Sequence, residues 1–562
     1  MSFEWLTPAS RNFLKQGYLS EGVEPEERLR EVAEKAQELL GDEEGYADKL
    51  YSYMDKGWVS LSSPVWANFG NPRGLPVSCF NSYIGDSAPE ILYAQAEVGM
   101  MTKYGGGTSG YFGDVRPRGA PIKGNGKSSG AVHFMELFES VTDVVSQGAT
   151  RRGRFAPYLP LSHGDIEEFL KIGTDGHAIH NLTTGVTATD EWLESMIAGD
   201  SAKRKTWANV LQARSSIGYP YVFFTDNANK NKPQVYKDKG MPILGSNLCS
   251  EIMLPSSQEE SFVCVLSSVN LLHYDEWKDT DLIETMVKLL DAVVTDFLQK
   301  IEESAKGEPG SSSVLSASFM SRAYQFAKNH RALGLGVLGW HSLLQSKRLS
   351  MSSKGAAQLN DEVFSLIKER SYKASEELAE VFGEPPVLEG YGRRNTTLNA
   401  IAPTTSSAFI LGQVSQSIEP LMSNYYIKNL AKAKEEIKNP ELEKLLEEAG
   451  QNTPEVWKSI GEADGSVQHL PFLTDEEKEV FLTFKEIDPY TILHLAAVRQ
   501  THLDQSQSLN LMIDESWTAK ELNELTLYAW RLGIPTLYYQ HSVNAAQAFA
   551  RVKGGECAAC EA

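Results

Sequence analysis

The sequence predicts an α/β protein built on a largely parallel sheet or barrel. Three observations point that way. Short apolar runs bounded by turn residues recur at 219–224 (YPYVFF), 262–266 (FVCVL) and 536–539 (TLYY). Longer helical patterns, such as 281–305 and 361–382, alternate with them, as crossover connections require. Hydrophobic residues make up 41% of 562, enough for a large core, and the length suits several domains or one large barrel with additions.

Residues 1–58 read as a helical segment: Pro25 opens the amphipathic run EERLREVAEKAQELL and Gly41 stops it. The main α/β unit is expected over 59–545. Glycine dominates from Gly105 to Gly130, which reads as a long loop region. Residues 428–486 are charged and read as a helical surface insertion, and 546–562 read as a mobile tail. Gly334, Gly336 and Gly339 spell GxGxxG, but a polar, helix-like stretch precedes them. A dinucleotide-binding turn needs a strand there, so these glycines are read as close-packing positions.

The net charge of −21 excludes a nucleic-acid coat, which needs a basic footprint. Any phosphate must be held locally, by backbone N–H groups and a few arginines. With no run long enough to span a bilayer and no signal-peptide core, a cytosolic protein is expected. Five cysteines, an odd number scattered along the chain, do not resemble a secreted disulfide framework.

Cys249 lies in GSNLCSEIMLP, bracketed by Gly245 and Pro255, and is expected on an extended loop. In extended chain Asn247, Cys249 and Glu251 would share a face, collecting a thiol, an amide and a carboxylate. Such a trio can abstract hydrogen, orient a hydroxyl and move a proton. A buried cysteine beside a polar turn is the plainer alternative. Cys79 and Cys264 lack a CxxC partner, so zinc is weakly supported and a core position is the default for Cys264. Cys557 and Cys560 form CAAC beyond two glycines, which favours a mobile dithiol over half a zinc site. Tyr538 and Tyr539 alone would be an aromatic strand pair, one ring in the core and one at the surface.

Together these fragments resemble the large subunit of class I ribonucleotide reductases, in family order from SLSSPVWANFG at residue 60 to the CAAC tail. The resemblance implies a ten-stranded α/β barrel of two five-stranded halves, with Cys249 on a finger loop at its centre. It implies that Cys249 carries the thiyl radical, that Glu251 is the proton acceptor and that Asn247 orients the ribose. Cys79 and Cys264 would be the reducing pair, Tyr538 and Tyr539 the radical-transfer dyad, and Cys557 and Cys560 the shuttle thiols. The substrate would be a ribonucleoside diphosphate. No cofactor would be held permanently: a metal-containing small subunit would supply the radical, and a thioredoxin- or glutaredoxin-like donor would reset the tail.

The nucleotide sites follow the same way. Pro403, Thr404, Thr405, Ser406 and Ser407 precede the apolar run AFIL and read as a phosphate-binding helix start. Ser63 and Ser78 match family positions near the substrate. A deoxynucleoside triphosphate or ATP effector, with Mg2+, would sit at a homodimer interface near Asp86, Arg116, Ser146, Gln147 and Arg151. Barrel motifs begin near residue 58, so no N-terminal ATP-binding cone and no activity switch through one is expected. Two alternatives remain at this point. One is an adenosylcobalamin-dependent reductase, which would not need the tyrosine dyad. The other is a non-catalytic nucleotide-binding regulator, which would not need the cysteines.

Overall fold

The computed structural model describes residues 3–145, 153–412, 414–430 and 433–542. Its strands, in chain order, are β1 (Val59–Leu61), β2 (Cys79–Tyr83), β3 (Gly107–Tyr111), β4 (Phe155–Pro160), β5 (Gly185–Ala188), β6 (Tyr221–Phe224) and β7 (Val263–Asn270). They continue with β8 (Leu333–Leu338), β9 (Tyr425–Leu430), β10 (Ala433–Lys438), β11 (Leu511–Ile513), β12 (Thr536–Leu537) and β13 (Gln540–Ser542). The main sheet holds nine of them, in the order β1-β7-β2-β3-β4-β5-β6-β12 with β8 beside β7. From β2 to β6 all pairs are parallel, as are β7 and β8. Three pairs in the sheet are antiparallel: β1–β7 at its end, and the two seams β2–β7 and β6–β12. The result is an α/β barrel fold.

Beyond β8 the pairing continues through single parallel bridges, Leu335 to Asn399 and Ile401 to Gln507. The N–H of Tyr538 then donates to the Leu509 carbonyl at 2.9 Å. The polar run 504–508 is therefore inside the fold, not a surface turn, and each of its residues is buried.

Parallel strands buried on both faces need continuous apolar or small residues, and β7 is buried along all eight positions. Helix Leu282–Ala305 packs behind β7 and β8 and carries Leu289, Leu290, Val293 and Phe297 into the core. Each such side chain contributes about 1.5–3 kcal/mol. Helix Pro25–Leu39 starts and stops as expected, and buried Arg28 fastens it to helix Ser63–Asn68. Its guanidinium donates to the carbonyls of Val65, Trp66 and Phe69. The second expected long helix begins earlier, at Lys354, because Ser353 caps it.

Two expectations need correction. The glycine-rich stretch after Gly105 contains strand β3, which is buried. Its glycines serve close approach: a Cβ at Gly107 would stand 3.3 Å from Leu248 on the cysteine loop. The insertion opens with the antiparallel hairpin β9–β10 before helices Pro440–Glu448 and Pro454–Glu462, so it is not wholly helical. The GxGxxG glycines are close-packing positions, as expected, with Gly334 and Gly336 inside β8 and Gly339 just after it at φ +82°. A Cβ at Gly334 would come within 2.3 Å of Leu266, and one at Gly336 within 2.6 Å of the Ala400 carbonyl.

Candidate active site

Cys79 and Cys264 face one another across the β2–β7 seam, paired in register. Cross-strand partners point to the same face, with Cα atoms roughly 4.5–5.5 Å apart. That spacing lies within the range a disulfide can span. Both thiols are buried and neither is in a disulfide. Burial pushes Cys264 far above the ordinary thiol range. The Gln505 amide donates to its sulfur at 3.7 Å. A Cβ at Gly334 would stand 3.2 Å from the same sulfur, so the glycine leaves room beside it.

The loop carrying Cys249 presses against this pair. Its chain is not extended throughout. A turn at Leu248–Ser250 doubles it back, with Ser250 at φ +67° and the Ser250 N–H donating to the Asn247 carbonyl. Asn247 and Glu251 are therefore brought together by a turn instead of by strand alternation, and positive φ in a serine marks local strain. The turn is held from outside. The Tyr158 hydroxyl donates to the Asn247 carbonyl at 2.8 Å, and the Ser508 hydroxyl lies 2.6 Å from the Cys249 carbonyl. The Asn247 amide donates to Cys79 Sγ at 3.1 Å, and the Cys79 thiol lies 3.9 Å from Glu251 Oε1. Asn247, Glu251 and Cys79 thus share one buried volume, with Cys249 two residues along the chain from both Asn247 and Glu251.

Glu251 is fully buried, and burial pushes its carboxyl up to about 7. Hydrogen bonds involving its own backbone, Asn247, Ser508 and Cys79 offset part of that effect. A carboxyl poised near neutrality can accept and return a proton at modest cost.

The tyrosines form a cluster larger than a dyad. Tyr538 is buried and Tyr539 half-buried, their ring centroids 4.5 Å apart. Tyr221 from β6 lies 4.7 Å from Tyr538 and 5.2 Å from Tyr539. Beyond them His541 stacks on Tyr539 at 5.8 Å. Arg214 is buried alongside and donates to the carbonyls of Pro220 and Tyr538; burial lowers its guanidinium to about 9.

One segment ties the thiol loop to the tyrosines. Ser506 N–H donates to the Glu251 carbonyl, and the Ser508 hydroxyl reaches the Cys249 carbonyl. Leu509 accepts from Tyr538, and the Asn510 side chain accepts from the Tyr539 N–H. Asn510 also donates to Glu419, whose carboxyl is sunk deeply enough that burial pushes it up to about 7. Sequence reading missed Ser508, Asn510, Glu419, Tyr158, Tyr221 and Arg214. The signal available for the first two was DQSQSLN, an unusually polar run directly before the apolar LMI.

The phosphate-loop residues lie where expected, at the start of helix Thr405–Ile410. Thr404 sits at φ +53° and its hydroxyl accepts from the N–H of Ser417, itself at φ +46°. Pro403 and Ser407 are buried and Thr405 is exposed. The hydroxyls of Ser78, Ser406 and Ser417 are buried without a hydrogen-bond partner among the described residues. Ser63 is buried, and its hydroxyl donates to Tyr18. Asp86 and Arg116 pair with each other at 2.7 Å. Ser146, Gln147, Arg151, Cys557 and Cys560 lie outside the described residues. Among the described residues no group of three His, Cys, Asp or Glu could hold a metal ion, and no helix is long and apolar enough to cross a membrane.

Thiols packed away from solvent, beside a proton-accepting carboxyl and a train of tyrosines, suit a sulfur-based oxidoreductase that moves electrons through its own interior. Comparison with known proteins narrows this class. The barrel domain of ribonucleotide reductase matches residues 77–204, 197–390 and 387–540. The chain is 36% identical over 523 residues to a large-subunit sequence of Frog virus 3 (isolate Goorha), covering 90% of this chain and 89% of the other. It is 31% identical to the ribonucleoside-diphosphate reductase large subunit of Invertebrate iridescent virus 3, covering 94% and 92%. It superposes on the solved Actinobacillus ureae class Id ribonucleotide reductase alpha subunit with a TM-score of 0.90 and 53% identity, covering 97% and 99%. The chain belongs to the ribonucleotide reductase family, as the large catalytic subunit of a class I ribonucleoside-diphosphate reductase.

Proposed function

We propose that this chain reduces ribonucleoside diphosphates through a thiyl radical on Cys249, and that it is of the class Id type named for its 53% identical relative. The carrying observation is the cross-strand register of Cys79 and Cys264 beside Asn247 and Glu251. An electron vacancy arrives through Tyr539 and Tyr538 and oxidises Cys249, which loses its proton. The thiyl takes the 3′ hydrogen of the ribose, and Glu251 accepts the proton of the 3′ hydroxyl while Asn247 orients it. The 2′ hydroxyl leaves as water, protonated from the Cys79/Cys264 pair. C2′ takes the pair's other hydrogen, so the pair supplies two electrons and ends as a disulfide, and Glu251 gives its proton back to the 3′ oxygen. Cys249 returns a hydrogen to C3′ and regains its radical. Cys557 and Cys560 reduce the disulfide by exchange, and a thioredoxin- or glutaredoxin-like protein resets them. Burial of all three core cysteines keeps the radical from water.

The same reading assigns ten strands to the barrel: β2 to β6 in one half, and β7, β8, 399–401, 507–509 and β12 in the other. The bridges at Asn399 and Gln507 and the Tyr538–Leu509 hydrogen bond support it. Residues 1–58, 59–545 and 546–562 are its helical, catalytic and tail parts. The hydroxyls of Ser78 and Ser406, with Ser63, Pro403, Thr404, Thr405 and Ser407, hold the substrate. Asp86 and Arg116 open toward an effector nucleotide, with Ser146, Gln147 and Arg151. The helix pair Ala88–Lys103 and Ala131–Val144 offers Leu92 and Val144, 53% and 79% exposed, as part of a homodimer face.

A small subunit must deliver the radical near Tyr539. A cleft of about 860 Å³ between helices Ser201–Ile217 and Ala519–Arg531 suits its docking, lined by Ile197, Leu211, Trp517 and Leu527. Ser215 borders the cleft and accepts hydrogen bonds from Gln540 and Ser542, directly after the tyrosines. The test is dithiothreitol-dependent reduction of CDP with ATP as effector. Activity should require the small subunit and vanish in Cys249→Ser and Tyr538→Phe. Activity with adenosylcobalamin alone would refute the class I reading.

A further inference from the structure

We propose that Ser508 is the positioning residue that couples the proton on Glu251 to the backbone seat of Cys249. The inference rests on the reading of Glu251 as proton acceptor and adds the group that reports its state to the radical-bearing loop. The Ser508 hydroxyl is fully buried and lies between two acceptors, 2.6 Å from the Cys249 carbonyl and 3.1 Å from Glu251 Oε2. Its backbone N–H is committed to the Ile401 carbonyl at 2.8 Å, so the residue is fixed while its hydroxyl rotates.

A hydroxyl has one proton to give. When Glu251 is protonated, its O–H donates to Ser508 Oγ and the serine proton goes to the Cys249 carbonyl, so both acceptors are satisfied. When Glu251 is ionised, the carboxylate draws the serine proton, because hydrogen bonds to charged acceptors are the stronger ones. The Cys249 carbonyl then loses that donor inside a dry site, which is unfavourable. The bookkeeping needs one proton at Glu251 and one hydroxyl rotation, with no heavy-atom bond made or broken. In turnover the thiol loop is loosened while Glu251 waits as a base. It is reseated when Glu251 takes the ribose proton.

The other titratable groups facing Glu251 are Cys79 from β2, Tyr158 from β4 and Cys264 from β7. Burial raises Tyr158 and Cys264 well above neutrality. Neither of them changes charge in the range where Glu251 does.

The experiment is infrared titration of the full chain, which needs neither turnover nor a partner subunit. The protonated-carboxyl band of Glu251 is assigned by its absence in Glu251→Gln, and the Cys249 carbonyl is isotope-labelled. In the native chain the Cys249 band should shift at the same midpoint as the Glu251 band. Ser508→Ala should raise the Glu251 midpoint by about one pH unit, the loss of one donor to the charged form, and abolish the Cys249 shift. Ser508→Thr, which keeps the hydroxyl and guards against a folding defect, should restore both. An unchanged midpoint in Ser508→Ala, or a Cys249 band in the native chain indifferent to Glu251, would overturn the coupling. Retained turnover in Glu251→Gln would refute only the proton-acceptor role.

Discussion

Replacing Glu251 by Gln should change the pH dependence of stability by a calculable amount. In the unfolded chain the carboxyl titrates at its ordinary 4.5, while burial in the fold pushes it up to about 7. The folded state therefore holds this proton more tightly. The stabilisation it brings is complete below pH 4.5, falls as pH rises, and is lost above about 7. At about 1.4 kcal/mol per pH unit, the ionised fold is about 3 kcal/mol worse off than the protonated one. Gln cannot ionise and so escapes this loss. The stability of Glu251→Gln relative to the native chain should improve by about 3 kcal/mol between acid and mildly alkaline pH. Glu419, pushed up to about 7, and Asp504, pushed up to about 6, titrate in the same range but are common to both chains. Subtracting the two curves isolates Glu251. Denaturant unfolding of both chains across the pH range is the assay. A difference that stays flat with pH would show that Glu251 titrates in the fold as it does in the unfolded chain, and the desolvation argument would fail.

Other perturbations have equally definite outcomes. Cys249→Ser should abolish turnover while leaving substrate affinity within a few-fold of native, measured by calorimetric titration with CDP. In substrate turnover without added reductant, peptide mapping should recover a Cys79–Cys264 disulfide; free thiols at both after product has formed would rule out their role as the pair. Gly334→Ala drives a methyl into Leu266 and should cost about 1–3 kcal/mol in denaturant unfolding. Arg28→Met strands three buried carbonyls, those of Val65, Trp66 and Phe69, and should cost about 3 kcal/mol, detached first at the N-terminal helices in hydrogen exchange.

Much of the site was legible because its chemistry rests on cysteine, of which the chain has only five, and on motifs that stand in family order. The cysteines, the paired tyrosines and the NLCSE loop announce themselves. The strands at 221–224 and 263–270 were visible because fully buried parallel strands read as apolar runs. Strand β3 was not, since GTSGY has no apolar signature; its small residues exist to let Leu248 approach. Ser508 and Asn510 were hidden for a related reason. A polar run looks like a loop until its partners are known, and those partners are Cys249, Glu251 and Glu419, far away in sequence. The geometry of the Cys249 loop was misjudged because period-two reasoning presumes a straight chain, and a serine at positive φ is a choice that only the surrounding contacts enforce.

The seam between β2 and β7 is where the parallel strands give way to antiparallel pairing, and on the proposed function the two facing sulfurs would join across it. A bond at that point is a rivet through the wall of the vessel. Each catalytic cycle would drive it in and draw it out, so the wall would stiffen with every product formed and relax with every reduction. The missing side chain at Gly334 leaves clearance beside one sulfur, the play that such a rivet needs if it is to be set repeatedly without buckling the wall around it.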